Sequence, residues 1–374
     1  MPLRKTAQGA DKDRTRLGEL KMATMASRYL TEMQDVADGE TLISVRAVRK
    51  WFPVNTGFLS SLLYKQELYV RAVDGVTFDI KKGEILVLAG ESGCGKTTTG
   101  RCLLYLETPT DGQISYAGVD LATLDRTEMK ELRKRMQITF QDPYESLNPK
   151  QSIFNIVSEP LMVHKLPLTP SQRRERVLEV LENVALTPAD DYIDRYPHEL
   201  SGGQRQRISV ARALILHPQF MVADEPVSML DVSIRAEILN LLLKLRKDLG
   251  LTYLFITHDL AVATYIADRI AIMYLGKIVE IGPAHDIAFK PEHPYTRALI
   301  SAVPSGDPTV KRRVESLKGE PPSPINVPPG CRFHPRCPYA QEICVREIPE
   351  DRDMGYGHFV ACHFAGELGG SLGS

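Results

Sequence analysis

Three short runs of this chain carry residue types that can hold a polyphosphate and attack it. The first is GESGCGKT at 90–97. Its glycines, Gly90, Gly93 and Gly95, let backbone N–H groups crowd around phosphate oxygens, with Glu91, Ser92 and Cys94 between them. Lys96 supplies a point charge, the Thr97 hydroxyl is placed to ligate magnesium, and Thr98 continues the same turn. The second run is FMVADE at 220–225. Its apolar strand delivers Asp224 to a sheet edge as a hard-oxygen ligand for Mg2+, and Glu225 beside it is a base for the attacking water. The third is LSGGQ at 200–204, which puts Ser201, Gly202, Gly203 and Gln204 at the N-terminus of a helix running to about 216, an anion-binding geometry.

Two single residues complete the pattern. Gln141 closes an apolar strand at 136–140, where its side chain can touch metal or water, and His258 follows a strand at 252–257, where it can bridge the γ-phosphate and the water. Alone, each reads as an ordinary structural residue, and LSGGQ as a turn before a helix. Their order along the chain gives them weight. The whole helical segment separates LSGGQ from the glycine loop, so that turn faces outward and completes a site on another molecule. These residues therefore describe a composite ATP site with Mg2+.

The elements that must position them alternate. A strand at 85–89 runs into the glycine loop, and a helix follows from 96 to about 106. Residues 151–200 are helical in pattern, most clearly at 173–184. Strand 220–223, helix 234–248, strand 252–256 and helix 260–267 restore the strand–helix alternation of a parallel sheet. Strands 270–273 and 277–281 read as a hairpin, and earlier strands are expected at 43–48 and 76–80. Seven prolines from Pro304 to Pro329 argue for an extended connector. The resulting partition is an N-terminal extension 1–40, an ATPase domain 41–290 with a helical subdomain at about 142–212, a proline-rich connector 291–330 and a cysteine-rich tail 331–374.

Bulk properties exclude some classes. The 374 residues are 43% hydrophobic and 25% charged, with a formal net charge of −1. That balance gives no global attraction to nucleic acid or an anionic membrane. No run approaches the ~20 apolar residues of a membrane span, so a membrane role has to come through a partner. Cys94 and Cys102 lie in and after the glycine loop, whereas Cys331, Cys337, Cys344 and Cys362 cluster near the C-terminus. Without an export signal, such a cluster reads as a metal site rather than disulfides.

The motifs together resemble the nucleotide-binding subunit of an ATP-binding-cassette transporter over roughly residues 40–290. The resemblance implies a P-loop NTPase fold: a RecA-like parallel sheet core, an antiparallel β subdomain and a helical subdomain. It makes 90–97 the Walker A loop, Gln141 the Q-loop glutamine, 201–204 the signature, and Asp224 and Glu225 the Walker B pair. Asp231 becomes the D-loop aspartate, His258 the switch histidine, and Phe52 the aromatic that stacks on adenine, with Tyr69 as the alternative. The D-loop reads Ser228-Met229-Leu230-Asp231, where alanine is more usual at the second place.

FQDPYESLNP at 140–149, HPYTRAL at 293–299 and GCRFHPRCP at 330–338 are similar to the oligopeptide/dipeptide/nickel importer subfamily, some members of which carry oligosaccharides. That implies an importer ATPase on the cytoplasmic face of the membrane. Its partners would be a different cassette subunit, two permease subunits and an external binding protein. The rival is a soluble accessory ATPase of the phosphonate-breakdown type. The four tail cysteines are separated by five, six and seventeen residues. They lack the tight pair that zinc prefers and suit a cubane cluster better. The subfamily resemblance likewise implies a [4Fe-4S] cluster, with zinc as the alternative.

Overall fold

The computed structural model describes residues 36–54, 68–142, 146–303, 317 and 319–368. Residues 1–35 of the N-terminal extension, the segment 55–67 and residues 304–316 of the proline-rich run lie outside the described residues. In chain order the strands are β1 (Thr41–Pro53), β2 (Tyr69–Lys81), β3 (Ile85–Ala89), β4 (Asp111–Tyr116), β5 (Val119–Asp120), β6 (Met136–Thr139), β7 (Phe220–Asp224), β8 (Thr252–Thr257), β9 (Arg269–Tyr274), β10 (Lys277–Pro283), β11 (Asp351–Asp353) and β12 (Phe359–Ala361). The helices are α1 (Lys96–Leu103), α2 (Arg126–Leu132), α3 (Ile153–Val163), α4 (Pro170–Asn183), α5 (Asp190–Ile193), α6 (Gly202–Leu214), α7 (Val232–Leu249), α8 (Leu260–Ile266), α9 (Ala284–Phe289), α10 (Pro294–Ser301) and α11 (Glu342–Arg346).

Strands β3, β7 and β8 are buried at every position, as expected of strands covered on both faces. They lie in an eight-stranded sheet ordered β11-β12-β10-β9-β3-β8-β7-β6. The run from β9 to β6 is parallel, whereas β10 and β12 pair antiparallel. Alternate side chains go to opposite faces. Val87, Met221, Tyr253 and Phe255 join the core under the helices. Leu86, Leu88, Val222 and Leu254 instead meet Ile43, Val45 and Phe78 from a second, four-stranded antiparallel sheet ordered β2-β1-β4-β5.

The helical lobe follows its sequence pattern. Val177, Val180, Leu181 and Val184 form one buried face at helical spacing. Helix α4 starts on a capping box, with the Thr169 hydroxyl accepting from the Gln172 N–H and the Gln172 side chain accepting from the Thr169 N–H. Strands β1 and β2 are longer than expected because they pair from Thr41 opposite Lys81 to Pro53 opposite Tyr69. Their outer ends are partly exposed, which hides the period of two.

The C-terminal third differs from its expected partition. The segment expected to be an extended connector begins with α10, in which Tyr295 is fully buried. His293 caps it by accepting the Tyr295 N–H at 3.0 Å. The tail is not a separate small unit either, because β12 pairs with β10 and extends the main sheet. Buried Glu280 on β10 ties the parts together. It accepts the N–H groups of Glu292 and His293 at 2.8 and 3.0 Å and pairs with His358 at 2.7 Å. Phe333 from the tail enters the main core, its ring 5.3 Å from Tyr274 and 5.4 Å from Tyr295. Phe333→Ala is therefore expected to destabilise the protein by about 3–5 kcal/mol, read from urea unfolding. Limited proteolysis should cut the tail first.

Candidate nucleotide site

The sheet register assembles the site. Ala89 lies opposite Thr257, Asp224 opposite Ile256, and Thr139 opposite Ala223. The residues just beyond these strand ends, Gly90, His258, Glu225 and Gln141, therefore emerge at one edge of the parallel sheet. That edge is where open α/β sheets bind ligands. A single open pocket is lined by Gly90, Glu91, Ser92, Gly93, Gly95, Lys96, Thr97, Thr98, Gln141, Glu225 and His258.

The glycine loop fits only as glycine at its two ends. A Cβ on Gly95 would stand 2.0 Å from the Ala72 carbonyl oxygen, and one on Gly90 would stand 2.2 Å from that of Met273. Both have positive φ, +110° and +150°. Buried Lys96 donates from Nζ to the carbonyls of Gly90 at 2.8 Å and Glu91 at 2.9 Å, which holds the loop curled. Cys94 packs inward, and burial pushes its thiol pKa up.

Asp224 is buried and accepts the Thr97 hydroxyl at 3.1 Å. Burial raises its pKa, and the Thr97 hydrogen bond only partly offsets this. A desolvated carboxylate next to a hydroxyl is a donor set that a hard divalent cation would satisfy, so the residues fit Mg2+. Glu225 accepts from Gln141 Nε2 at 3.1 Å and pairs with His258 Nδ1 at 3.0 Å. Gln141 and His258 thus converge on Glu225 at the pocket that the glycine loop lines.

The signature residues stand elsewhere. Ser201 caps α6 in a capping box with Gln204, at 3.3 and 2.9 Å, and Gly203 packs on Ile234. None of residues 201–204 lines the pocket. Asp231 is the exposed N-cap of α7 and makes no side-chain cap. Phe52 does not line the pocket either. Its cross-strand partner Val70 does, together with Ala72, while the Phe52 ring lies 4.9 Å from Lys50 Nζ.

Several contributors were missed by sequence reasoning. The Tyr295 hydroxyl accepts the Glu91 N–H at 2.9 Å, and Arg336 forks onto the Glu91 carboxylate. Leu299 and Pro324 also line the pocket, and the Pro324 carbonyl accepts the Arg71 N–H at 3.1 Å. The HPYTRAL and GCRFHPRCP runs contain three of these residues, but their bearing on the loop depends on tertiary packing.

In the tail, Cys331, Cys337, Cys344 and Cys362 line one small pocket with Phe333, Tyr339 and Phe364. Burial pushes the Cys331 and Cys337 thiols up to about 11 and about 12. Among the described residues, no group of three or more His, Cys, Asp or Glu is set to hold a single metal ion.

Two family models match this chain: ABC transporter over residues 73–228, and Oligopeptide/dipeptide transporter, C-terminal region, over residues 279–344. The oligopeptide transport ATP-binding protein AppF of Bacillus subtilis (strain 168) is 49% identical over 330 residues, covering 87% of this chain and 98% of the relative. The dipeptide transport ATP-binding protein DppF of Haemophilus influenzae is 45% identical over 328 residues, covering 88% and 98%. Among solved structures, a dimeric ATP-binding cassette in a post-hydrolysis state bound to ADP and Pi matches with a TM-score of 0.56 and 29% identity. That match covers 65% of this chain and 99% of the other. With its phosphate loop, its acid pair and its C-terminal region all matched, this chain belongs to the ATP-binding proteins of ABC transporters, in the group that carries the oligopeptide/dipeptide C-terminal region.

Proposed function

We propose that this chain is the ATP-hydrolysing subunit of an importer for peptides or related small solutes such as oligosaccharides. The observation that carries the reading is a complete hydrolytic group on a chain whose C-terminal region matches that of oligopeptide/dipeptide transporters. The C-terminal match weighs against the accessory-ATPase alternative. Among the described residues no helix is long and apolar enough to cross a membrane. As a subunit of such an importer, the chain docks on two permease subunits at the cytoplasmic face, with an external binding protein delivering cargo. Ser201, Gly202, Gly203, Gln204 and Asp231 do not line the pocket of their own loop and serve the nucleotide across a dimer, and the likeness to the oligopeptide/dipeptide importer subfamily makes the partner cassette a related but different subunit.

In hydrolysis the loop amides and Lys96 hold the phosphates, and the adenine lies on the side of Val70 and Ala72, with Phe52 flanking it. Thr97, Asp224 and Gln141 would hold Mg2+, which would supply neutralisation of charge on the transferring phosphoryl group. Glu225 accepts the proton of the attacking water, and His258 orients the carboxylate. Gln141 carries movement of the helical lobe to Glu225, which places the permease contact at about 142–155. Glu225→Gln is expected to lower turnover in the assembled complex by about 10²–10⁴-fold while ATP still binds. Unchanged turnover would remove Glu225 as the base.

The tail thiols fit a [4Fe-4S] cluster better than zinc. Four thiols line one small pocket, on the long and irregular spacing that suits a cubane rather than the tight pair that zinc prefers. Such a cluster would be held by Cys331, Cys337, Cys344 and Cys362, and its role would be to bind the tail together. Protein purified without air should carry about four iron and four sulfide per chain, and Cys337→Ser should lose most of both. Stoichiometric zinc, or no bound iron, would refute the assignment.

A further inference from the structure

The phosphate loop and the cysteine-bearing tail meet at one charge pair. Arg336, 5% exposed, reaches the Glu91 carboxylate with both terminal nitrogens, Nη1 at 2.8 Å from Oε2 and Nη2 at 3.0 Å from Oε1. A two-pronged guanidinium–carboxylate contact fixes direction as well as charge. The guanidinium also lies 5.8 Å from the centroid of the Tyr274 ring. The same tail loop reaches the phosphate loop from a second side. Arg332 pairs with Asp74 and donates to the Leu275 carbonyl, and the next residue, Gly276, donates its N–H to the Cys94 carbonyl at 2.8 Å.

Glu91 is the second residue of a loop that must receive a polyanion. Its backbone already serves the loop, with the carbonyl on Lys96 and the N–H on Tyr295. Its side chain is the difficulty, since it places a negative charge at the mouth of an anion site and is only 27% exposed. In that setting water screens it weakly. Removing its partner would leave the carboxylate repelling the incoming phosphates and free to swing toward them.

We propose that Arg336 is a positioning residue for nucleotide: it neutralises and pins Glu91, so that the tail loop 331–337 sets the affinity of the phosphate loop. The inference rests on the reading of 90–97 as the ATP loop and does not require the iron–sulfur reading. Cys331 and Cys337 bracket this tail loop. Whatever holds those two thiols is thereby linked to nucleotide, and such linkage acts equally in both directions.

The test uses the full chain and measures MgATP and ADP dissociation constants by calorimetry for Arg336→Gln, Arg336→Lys, Glu91→Gln and the Arg336→Gln/Glu91→Gln double variant. Arg336→Gln is expected to raise the dissociation constant about tenfold. The KM for ATP should rise by a similar factor, and kcat should fall by less. Arg336→Lys, which keeps the charge without the fork, should fall between. Adding Glu91→Gln to Arg336→Gln should recover most of the lost affinity, because the unpaired charge is then gone. A merely structural arginine would not respond in that way. An Arg336→Gln constant within about twofold of the parent would overturn the inference, and so would a double variant no tighter than Arg336→Gln alone. Iron is assayed in every sample, so that the two readings fail separately. A shifted constant at unchanged iron content supports the brace, and an unshifted constant overturns it whatever the iron content.

Discussion

A loop that wraps phosphates in backbone amides has to be thin, and a thin loop cannot hold its own shape. Here it threads between two sheets. Gly95 passes the carbonyl of Ala72 on β2, and Gly90 passes that of Met273 on β9, both closer than any Cβ allows. The spacing between the small antiparallel sheet and the large parallel one therefore limits the loop's conformation. That spacing is set by the core in which Leu86, Leu88 and Val222 meet Ile43, Val45 and Phe78. Interiors packed to crystal-like density do not give by an ångström, so the core acts on the site at a distance.

The remaining supports differ greatly in worth. Exposed pairs such as Arg174–Asp190 and Arg346–Glu342 contribute roughly 0–1 kcal/mol. Arg332–Asp74 is about nine-tenths buried on both sides, whereas in Arg336–Glu91 only the arginine is, and the Glu91 side chain stays 27% exposed. Breaking one partner of the Arg332–Asp74 pair leaves a charge that water cannot reach, at a cost of about 3–5 kcal/mol. Apolar contact brings the tail in, through Phe333 against Tyr274 and Tyr295. Charge then decides where it stops. This division explains why the C-terminal segment ends against the loop rather than elsewhere on the sheet.

Much of this was legible from residue order. The run at 90–97, the acid pair at 224–225 and the apolar strands before them specify a parallel sheet with a phosphate site at its edge. Gln141 and His258 could be named because each follows such a strand, and both end beside Glu225. The tail was harder to read. Proline content suggested an extended connector, yet α10 precedes most of the prolines and is buried. Strand β12 is three residues long and joins a sheet begun some 270 residues earlier, which no local period could signal. Tyr295, Arg332 and Arg336 stood in recognised runs. Their bearing on the loop is a matter of tertiary packing, with 204 positions between Glu91 and Tyr295 and 245 between Glu91 and Arg336.

The geometry of Glu225 follows from the strand that precedes it. Successive side chains of a strand point to opposite faces. Asp224 reaches Thr97 on the side of α1, so an unbroken strand would send Glu225 to the other side of the sheet. Both carboxylates can serve one nucleotide only if the alternation is broken between them. The break is visible as φ +45° at Glu225, a conformation that non-glycine residues avoid and that costs about 1–3 kcal/mol. The Glu225 N–H donates to the Ile256 carbonyl at 2.9 Å, and the Ser228 hydroxyl donates to the Glu225 carbonyl at 3.0 Å, which pins the bend. A glycine would relieve the strain and lose the carboxylate. A straight strand would keep the carboxylate and lose its aim. With Asp224 and Glu225 in their proposed roles, the strain at this residue is the structural condition for a metal ligand and a base to be neighbours in sequence and partners at one phosphate.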